Sequence, residues 1–205
     1  MRIVLFSLVF CVVLAAGCPE ASTLSSNDEP TIKKGVKPIP DNEIAVLEME
    51  DGAAFGTIKI ELYSNIAPKM VARFKELANE RFYDGVAFHR ISTDVIQSGD
   101  PNTKDNDPSN DGKGGSDKQD VEAEFSDLEF DSGIVGAARG PEFNSANSQF
   151  FIMRKRQANF DNRYTIFGKV IEGMNNVSTI AGAPVQGEKP VDGIVIKSIR
   201  IEPRK

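Results

Sequence analysis

The sequence is poor in the residues that usually build metal sites and disulfide frameworks. It has one histidine and two cysteines, too few for the four Cys and His ligands of a usual zinc site. Its 205 residues include 30 acidic and 24 basic side chains, giving a net charge of −6, and Lys and Arg nowhere form a run of five. This balance argues against nucleic acid as a partner. Tryptophan is absent, whereas 13 phenylalanines predict a phenylalanine-rich interior or pocket.

Long apolar runs are also missing, apart from one near the start of the chain. Residues Ile3–Ala16 are almost entirely apolar, too short to span a bilayer comfortably but suited to the core of a signal peptide. The run ends in Leu14-Ala15-Ala16-Gly17-Cys18, which resembles a bacterial lipobox. We therefore predict a lipoprotein signal peptide at 1–17 and an acylated Cys18 that anchors the chain to a membrane, with the domain outside the cytoplasm. An ordinary secretory signal is the alternative.

Composition then divides the rest of the chain in two. Residues 18–42 are rich in Ser, Asn, Asp, Pro and Lys, with few apolar side chains to bury. Such a stretch predicts a flexible tether, which Pro38 and Pro40 stiffen at its end. Residues 43–205 have the apolar and charged content of one globular domain.

Hydrophobic periodicity in that domain predicts many short strands and two helices. The helices are expected at Pro68–Asn79 and Gly173–Ala181. An apolar phase slip near Lys197–Ser198 predicts a bulge in the last strand. We expect a mainly β fold, a closed eight-stranded antiparallel β-barrel capped by the two α-helices. The strands are expected at Ile44–Glu50, Phe55–Leu62, Ala87–Ile91, Val95–Ser98, Ile134–Ala138, Gln149–Met153, Thr165–Val170 and Gly193–Glu202.

Four blocks of sequence together resemble the cyclophilin family of peptidyl-prolyl cis/trans isomerases, over about residues 44–202. They occur in the family's order, which makes the resemblance specific, although each block alone is a weak signal. The blocks are FYDGVAFHRI at 82–91, QSGD at 97–100, NSQFFI at 147–152 and FGKVIEGM at 167–174.

The resemblance implies a groove on the outer face of the barrel that binds proline-containing polypeptides and accelerates rotation of X–Pro bonds. Rotation breaks no covalent bond, so no cofactor and no metal are expected. By position, Arg90 matches the family's catalytic arginine, and Gln97 the glutamine that positions it. Asn159 stands where some members have a tryptophan associated with cyclosporin binding. The substrate-binding positions are matched by Val95, Ile96, Ala138, Gln149, Phe151, Phe160 and Tyr164.

One departure from the family pattern leaves an alternative open. The stretch from His89 to Gln97 is one residue shorter than usual and lacks the phenylalanine expected before Val95. The alternative function is therefore a weakly active or inactive proline-peptide-binding module. His89 is expected to be structural, since no nucleophile motif accompanies it. The polar stretch 102–120 is interpreted as a flexible loop, because Lys118 stands where a calcium loop needs glutamate. A monomer is the expected state.

Overall fold

Eight strands form one curled antiparallel sheet in the computed structural model of the protein, which describes residues 29–105 and 107–205. The strand order is β10-β1-β2-β7-β5-β6-β4-β3, and β8 and β9 form a separate hairpin that the sequence did not predict. The strands are β1 Glu43–Met49, β2 Thr57–Leu62, β3 Arg90–Ile91, β4 Val95–Ser98, β5 Ile134–Ala137, β6 Phe150–Met153, β7 Ile166–Glu172, β8 Val185–Gln186, β9 Lys189–Pro190 and β10 Ile196–Pro203.

The sheet is not closed, so the prediction of a closed barrel is wrong, although the mainly β architecture is confirmed. Strands β3 and β10 are its two edges. Main-chain hydrogen bonds between residues 85–88 and 194–196 cross the gap, where Ala87 and Val195 form an isolated bridge. Because β3 has only two residues, it is too short to pair along β10.

Two helices lie where periodicity predicts them, and a one-turn helix between β1 and β2 was not predicted. The helices are α1 Gly52–Phe55, α2 Pro68–Asn79 and α3 Met174–Ala181. Helix α2 begins with Pro68, which suits a first helical turn because proline lacks the N–H that would be unpaired there. Its apolar stripe, including Phe74 and Leu77, is buried against β10 and β7. A phenylalanine-rich interior is confirmed, because Phe74, Phe88, Phe150 and Phe167 are all fully buried.

The predicted bulge in the last strand is confirmed. Glu48 is paired with Ser198, whereas the next residue, Met49, is paired with Ile196, so Lys197 is the extra residue. An extra residue shifts the inward phase of a strand by one. As a result, Ile196 and Ile199 are both buried despite their odd spacing.

The described part of the predicted tether is bound to the domain. Lys33 exchanges main-chain hydrogen bonds with residues 125 and 127, and its Nζ donates to the carbonyl of Ile66 at 2.6 Å. Asp41 accepts hydrogen bonds from Ser64 and from Lys75 Nζ, the latter at 2.8 Å. Residues 33–42 are therefore hydrogen-bonded to the domain and do not form the predicted flexible tether, because donors as well as acceptors of the domain satisfy their polar groups. The predicted signal peptide, Cys18 and residues 19–28 lie outside the described residues.

The loop 102–120 is also fastened to the domain over its described residues. Asp100 is fully buried and accepts hydrogen bonds from the main-chain N–H groups of Asn102 and Gly114. Lys118 donates to Glu76 and Glu80 on α2, at 3.0 and 2.9 Å. The expectation of a flexible loop is therefore wrong. Among the described residues, no helix is both long and apolar enough to cross a membrane.

Candidate active site

One row of opposed residues crosses four adjacent strands of the sheet. Arg90 on β3 is paired with Gln97 on β4, Gln97 with Phe151 on β6, and Phe151 with Gly136 on β5. Opposed residues of antiparallel strands project to the same face, so these four share one face. The next row lies on the other face and belongs to the main core: Ile91, Ile96, Ile152 and Val135.

A chain of polar contacts runs along this face. Arg90 Nη1 donates to Gln97 Oε1 at 3.3 Å, and Gln97 Nε2 donates to Gln149 Oε1 at 2.9 Å. Gln149 Nε2 in turn donates to the carbonyl of Gly114 at 2.8 Å. At the other end, Arg90 Nε donates to Glu188 Oε2 at 2.6 Å. The guanidinium is thus held at two of its nitrogens, and its other N–H groups are left to donate to a ligand.

Four aromatic side chains lie beside the polar chain and are called the aromatic cluster here: Phe130, Phe151, Phe160 and Tyr164. Phe151 stacks on Phe130 with ring centroids 5.9 Å apart, and meets Phe160 and Tyr164 edge-on at 5.5 and 5.6 Å. Phe160 and Tyr164 are only half-buried. Such packing leaves apolar ring surface available at the face that carries Arg90.

Alternation along β6 separates the cluster from the main core. Phe150 contacts Phe74 and Tyr83 in the interior, with ring centroids 5.5 and 5.8 Å apart, whereas Phe151 belongs to the aromatic cluster on the other face. Successive side chains of a strand point to opposite faces, so two adjacent phenylalanines serve two different environments.

The half-buried aromatics are carried by a loop that ion pairs stabilise. Asp161 accepts from Arg156 at two guanidinium nitrogens, at 3.1 and 2.5 Å, and its Oδ1 also accepts from the main-chain N–H of Phe130 at 2.9 Å. A bidentate arginine–carboxylate pair has a fixed geometry. Asp161 therefore holds the loop of Phe160 and Tyr164 against Phe130.

The shortened connection between β3 and β4 is a tight turn. Ser92 N donates to the carbonyl of Val95 at 2.9 Å, and Ser92 Oγ accepts from the main-chain N–H groups of Asp94 and Val95. The turn keeps Arg90 opposite Gln97 although one residue is missing. Phe130, from a different loop, supplies an aromatic ring against Phe151.

Most of the predicted site residues lie together. Arg90, Gln97 and Gln149 are joined by hydrogen bonds, and Val95 packs in the cluster of Phe151, Phe160 and Tyr164. Ala138 packs against the same cluster and donates its N–H to the carbonyl of Gln149 at 3.0 Å. An open cleft of about 380 Å³ is lined by Gln97, Ala138 and Gln149. Its lining also includes Arg139.

Ile96 is the exception among the predicted substrate-binding residues, and its assignment is wrong. It is fully buried in the main core, because alternation along β4 turns it away from the face that carries Val95 and Gln97.

His89 lies behind Arg90 and is buried. Neither of its ring nitrogens has a hydrogen-bond partner among the described residues. Burial lowers the pKa of His89 below its ordinary value, against the opposing charges of Asp100 and Asp111. The ring is therefore neutral at pH 7, and a structural role fits best.

Three residues of this region were missed by sequence reasoning. Phe130 is fully buried in the aromatic cluster, but it comes from an irregular loop with no periodic signal. Glu188 lies at the tip of the unpredicted hairpin. The guanidinium of Arg139 lies over the rings of Tyr164 and Phe143, 5.1 Å from each centroid. None of them belongs to the sequence blocks that revealed the site.

Comparisons with known proteins show the family of the chain. Residues 46–201 match the family model described as cyclophilin type peptidyl-prolyl cis-trans isomerase. The chain belongs to the cyclophilin family. A curated relative from Brucella suis, named "Probable peptidyl-prolyl cis-trans isomerase", is 42% identical over 146 residues, covering 69% of this chain and 72% of the relative. The "Peptidyl-prolyl cis-trans isomerase-like 3" of Gallus gallus is 37% identical over 154 residues, covering 71% of this chain and 90% of the relative.

Solved structures give the same fold. The cyclophilin-type isomerase of Cryptosporidium parvum superposes with a TM-score of 0.70 at 29% identity, covering 80% of this chain and 99% of that one. A second structure of that protein was determined in the presence of the dipeptide Ala-Pro, with a TM-score of 0.69, covering 78% of this cyclophilin and 99% of that chain.

Proposed function

We propose that this cyclophilin accelerates X–Pro rotation, with Arg90 as the group that stabilises the transition state and the aromatic cluster as the surface that binds the proline ring. The observation that carries the proposal is the single row of Arg90, Gln97 and Phe151 across three adjacent strands. This row brings a permanent cation to the face on which the buried Phe151 contacts the half-buried rings of Phe160 and Tyr164. A proline ring on the aromatics then lies within reach of the guanidinium.

The chemistry needs an electrostatic donor but no nucleophile. Resonance flattens the peptide bond and gives rotation a barrier of about 18–20 kcal/mol. In the twisted transition state the prolyl nitrogen regains its lone pair, which accepts a hydrogen bond. Arg90 donates to that nitrogen more strongly in the transition state than in either planar isomer, which is the requirement for catalysis. Gln97 orients Arg90, and Gln149 orients Gln97 through its own bond to Gly114.

A protease-coupled assay with a proline-containing chromogenic peptide tests this proposal. We expect Arg90→Ala to lower kcat/KM by about 10- to 100-fold, because one hydrogen bond from a charged donor contributes about 1.5–3 kcal/mol and each 1.4 kcal/mol corresponds to a factor of ten. Arg200→Ala is the control, since Arg200 is an exposed arginine on β10 outside the site. A wild-type rate equal to the uncatalysed rate, with no effect of Arg90→Ala, contradicts the proposal.

The substrates in this proposal are flexible or unfolded polypeptides that contain proline, as suits a shallow, exposed face. The Cryptosporidium relative studied with Ala-Pro supports this class. A protein that binds such peptides without catalysing rotation is the second candidate. The contact of Arg90 with the Glu188 carboxylate favours it, because the carboxylate partly neutralises the catalytic charge. Saturable peptide binding in NMR titrations without cis–trans exchange peaks identifies this second function.

We propose further that the protein is a lipoprotein of the bacterial cell envelope, anchored through Cys18, and acts on proteins that fold there. The lipobox-like Leu14-Ala15-Ala16-Gly17-Cys18 supports this. Radiolabelled palmitate fed to expressing cells tests it: we expect labelling of the wild type and none of Cys18→Ser. Equal labelling of both contradicts the anchor. Size-exclusion chromatography with light scattering tests the expected monomer.

A further inference from the structure

The hairpin of β8 and β9 carries an acidic residue to the catalytic arginine. The pairs Val185–Pro190 and Gln186–Lys189 leave Gly187 and Glu188 as its two-residue turn. Gly187 has φ +69°, a conformation that glycine adopts at the first position of such turns without strain. The hairpin is therefore a defined turn with Glu188 at its tip. Glu188 lies 98 residues from Arg90 in sequence, so only the tertiary fold brings the two together.

Three contacts fix this tip. The main-chain N–H of Ile91, the residue after Arg90, donates to the carbonyl of Glu188 at 2.6 Å. The neighbouring Lys189 forms an ion pair with Asp111 at 2.8 Å and also donates to the carbonyl of Pro108. The hairpin thus satisfies an N–H of the edge strand β3 and joins it to the loop that contains residues 107–111. Glu188 is held by its backbone, independently of its side chain.

The side chain of Glu188 then completes the support of Arg90. Its carboxylate accepts from Arg90 Nε at 2.6 Å, while the second hydrogen bond, from Arg90 Nη1 to Gln97 Oε1, is longer at 3.3 Å. Two contacts at different nitrogens fix the plane of a guanidinium, because the group is rigid and planar. Without Glu188, only the longer contact restrains a side chain that is about two-fifths exposed.

We propose that Glu188 is a positioning residue of the isomerase, which holds Arg90 so that its remaining N–H groups face the proline of the substrate. This rests on the proposed function. An open cleft of about 510 Å³ is lined by Arg90, Gln97 and Glu188, so the carboxylate borders the space next to the guanidinium without filling it. Both partners are half-exposed, and exposed ion pairs contribute little to stability. Substitution of Glu188 is therefore expected to leave the fold intact.

The test separates orientation from charge with two variants of the full-length protein in detergent. Glu188→Gln keeps an oxygen that accepts from Nε but loses the charge, whereas Glu188→Ala loses both. We expect Glu188→Ala to lower kcat about tenfold with little change in KM, since the lost interaction belongs to the transition state. We expect Glu188→Gln to remain within about twofold of wild type, because its oxygen keeps the hydrogen bond that orients Arg90.

Two controls make the result specific. Glu172→Ala removes a comparable exposed ion pair, with Lys59 at 2.7 Å, at the far end of β7, and is expected to have no effect on kcat. Adding Glu188→Ala to Arg90→Ala is expected to lower the rate no further, because Glu188 acts through Arg90. A Glu188→Ala protein as fast as wild type, or faster, overturns the proposal, as does an additive double variant.

The Nε–Hε resonance of Arg90 in NMR spectra gives a readout that does not depend on activity. It is expected to be sharp in wild type and Glu188→Gln, and broadened by exchange in Glu188→Ala. If the wild type shows no isomerase activity, the proposed function fails. Positioning by Glu188 is then supported by loss of this resonance in Glu188→Ala alone, and overturned by an unchanged resonance in all three proteins.

Discussion

The ring of Phe151 covers Gly136, its register partner on the neighbouring strand. A methyl group at position 136 would lie 2.4 Å from Cζ of Phe151 and 3.0 Å from Cε1 of Phe130. These separations are far inside van der Waals contact. The two rings occupy the space that the side chain of any residue other than glycine would need at position 136. The aromatic cluster therefore depends on this glycine.

Gly136→Ala is therefore expected to disturb the cluster and lower proline-peptide affinity. Overpacking of this kind typically costs about 1–3 kcal/mol of unfolding free energy. Urea unfolding and fluorescence-detected peptide titration measure the two effects. Gly193→Ala is the matched control, because its added methyl would meet only Val195 at an ordinary 3.7 Å. Equal affinity of Gly136→Ala and wild type for the proline peptide contradicts the assignment of the aromatic cluster as the proline-binding surface.

Truncation of the Phe160 side chain tests the same proline-binding surface at its exposed edge. Phe160 is half-buried and packs on Tyr164 with centroids 5.1 Å apart, so its truncation removes ligand contact with modest loss of packing. Phe160→Ala is expected to raise the Kd for a proline peptide several-fold, since it removes apolar surface that the proline ring buries, at about 25 cal/mol for each Å². Phe55→Ala removes a half-buried phenylalanine that packs on the main core, and is expected to lower stability with unchanged Kd. A Kd that rises for Phe55→Ala but not for Phe160→Ala contradicts the assignment of the aromatic cluster as the proline-binding surface.

Gln97 connects Arg90 to the rest of the polar chain, and its loss is expected to slow catalysis. Gln97→Met keeps the side-chain length but can neither accept from Arg90 nor donate to Gln149. We expect kcat/KM to fall about tenfold, which corresponds to about 1.4 kcal/mol of transition-state stabilisation. Gln119→Met, on an exposed loop, is the control. A Gln97→Met protein with the wild-type rate shows that Arg90 needs no partner on β4.

The sequence predicts the fold where local patterns decide it and fails where distant contacts do. Alternation located most of the sheet, and a phase slip located the bulge at Lys197. Closure of the barrel was predicted wrongly because the length of β3 depends on a turn and on pairing partners elsewhere. The bound segment 33–42 was missed for the same reason: its polar residues have partners, such as Lys75 for Asp41, that composition does not reveal.

The site shows the same division. Motif positions placed Arg90, Gln97, Gln149 and Phe151 together, and the strand register explains why. Ile96 was misassigned. Side chains alternate between the two faces of a strand, so the position of Ile96 next to Gln97 would have excluded it from the face of the site. Glu188 was out of reach, because nothing in an exposed Gly-Glu turn shows which residue it will contact across 98 positions of sequence.

His89 gives the stability of the protein a dependence on pH. In the folded state burial lowers its pKa, although Asp100 and Asp111 act in the opposite direction and Arg90 and Lys189 add to the lowering. The unfolded chain therefore binds a proton at a pH where the folded chain does not. The contribution of neutral His89 to the free energy of unfolding is fully present above about pH 6.5, the ordinary histidine pKa. It is lost as the pH falls from there through the lowered pKa of the folded state.

The loss attributable to His89 has an upper bound of about 1.4 kcal/mol for each pH unit within that window, because one proton is involved. Urea unfolding at pH 7.5, 6.5, 5.5 and 4.5 measures it. His89→Gln does not titrate, so the difference in unfolding free energy between wild type and this variant is expected to shift in favour of the variant as pH falls. Carboxylates that do not interact with His89 titrate alike in both proteins and cancel in that difference. Parallel stability curves contradict the buried, neutral histidine.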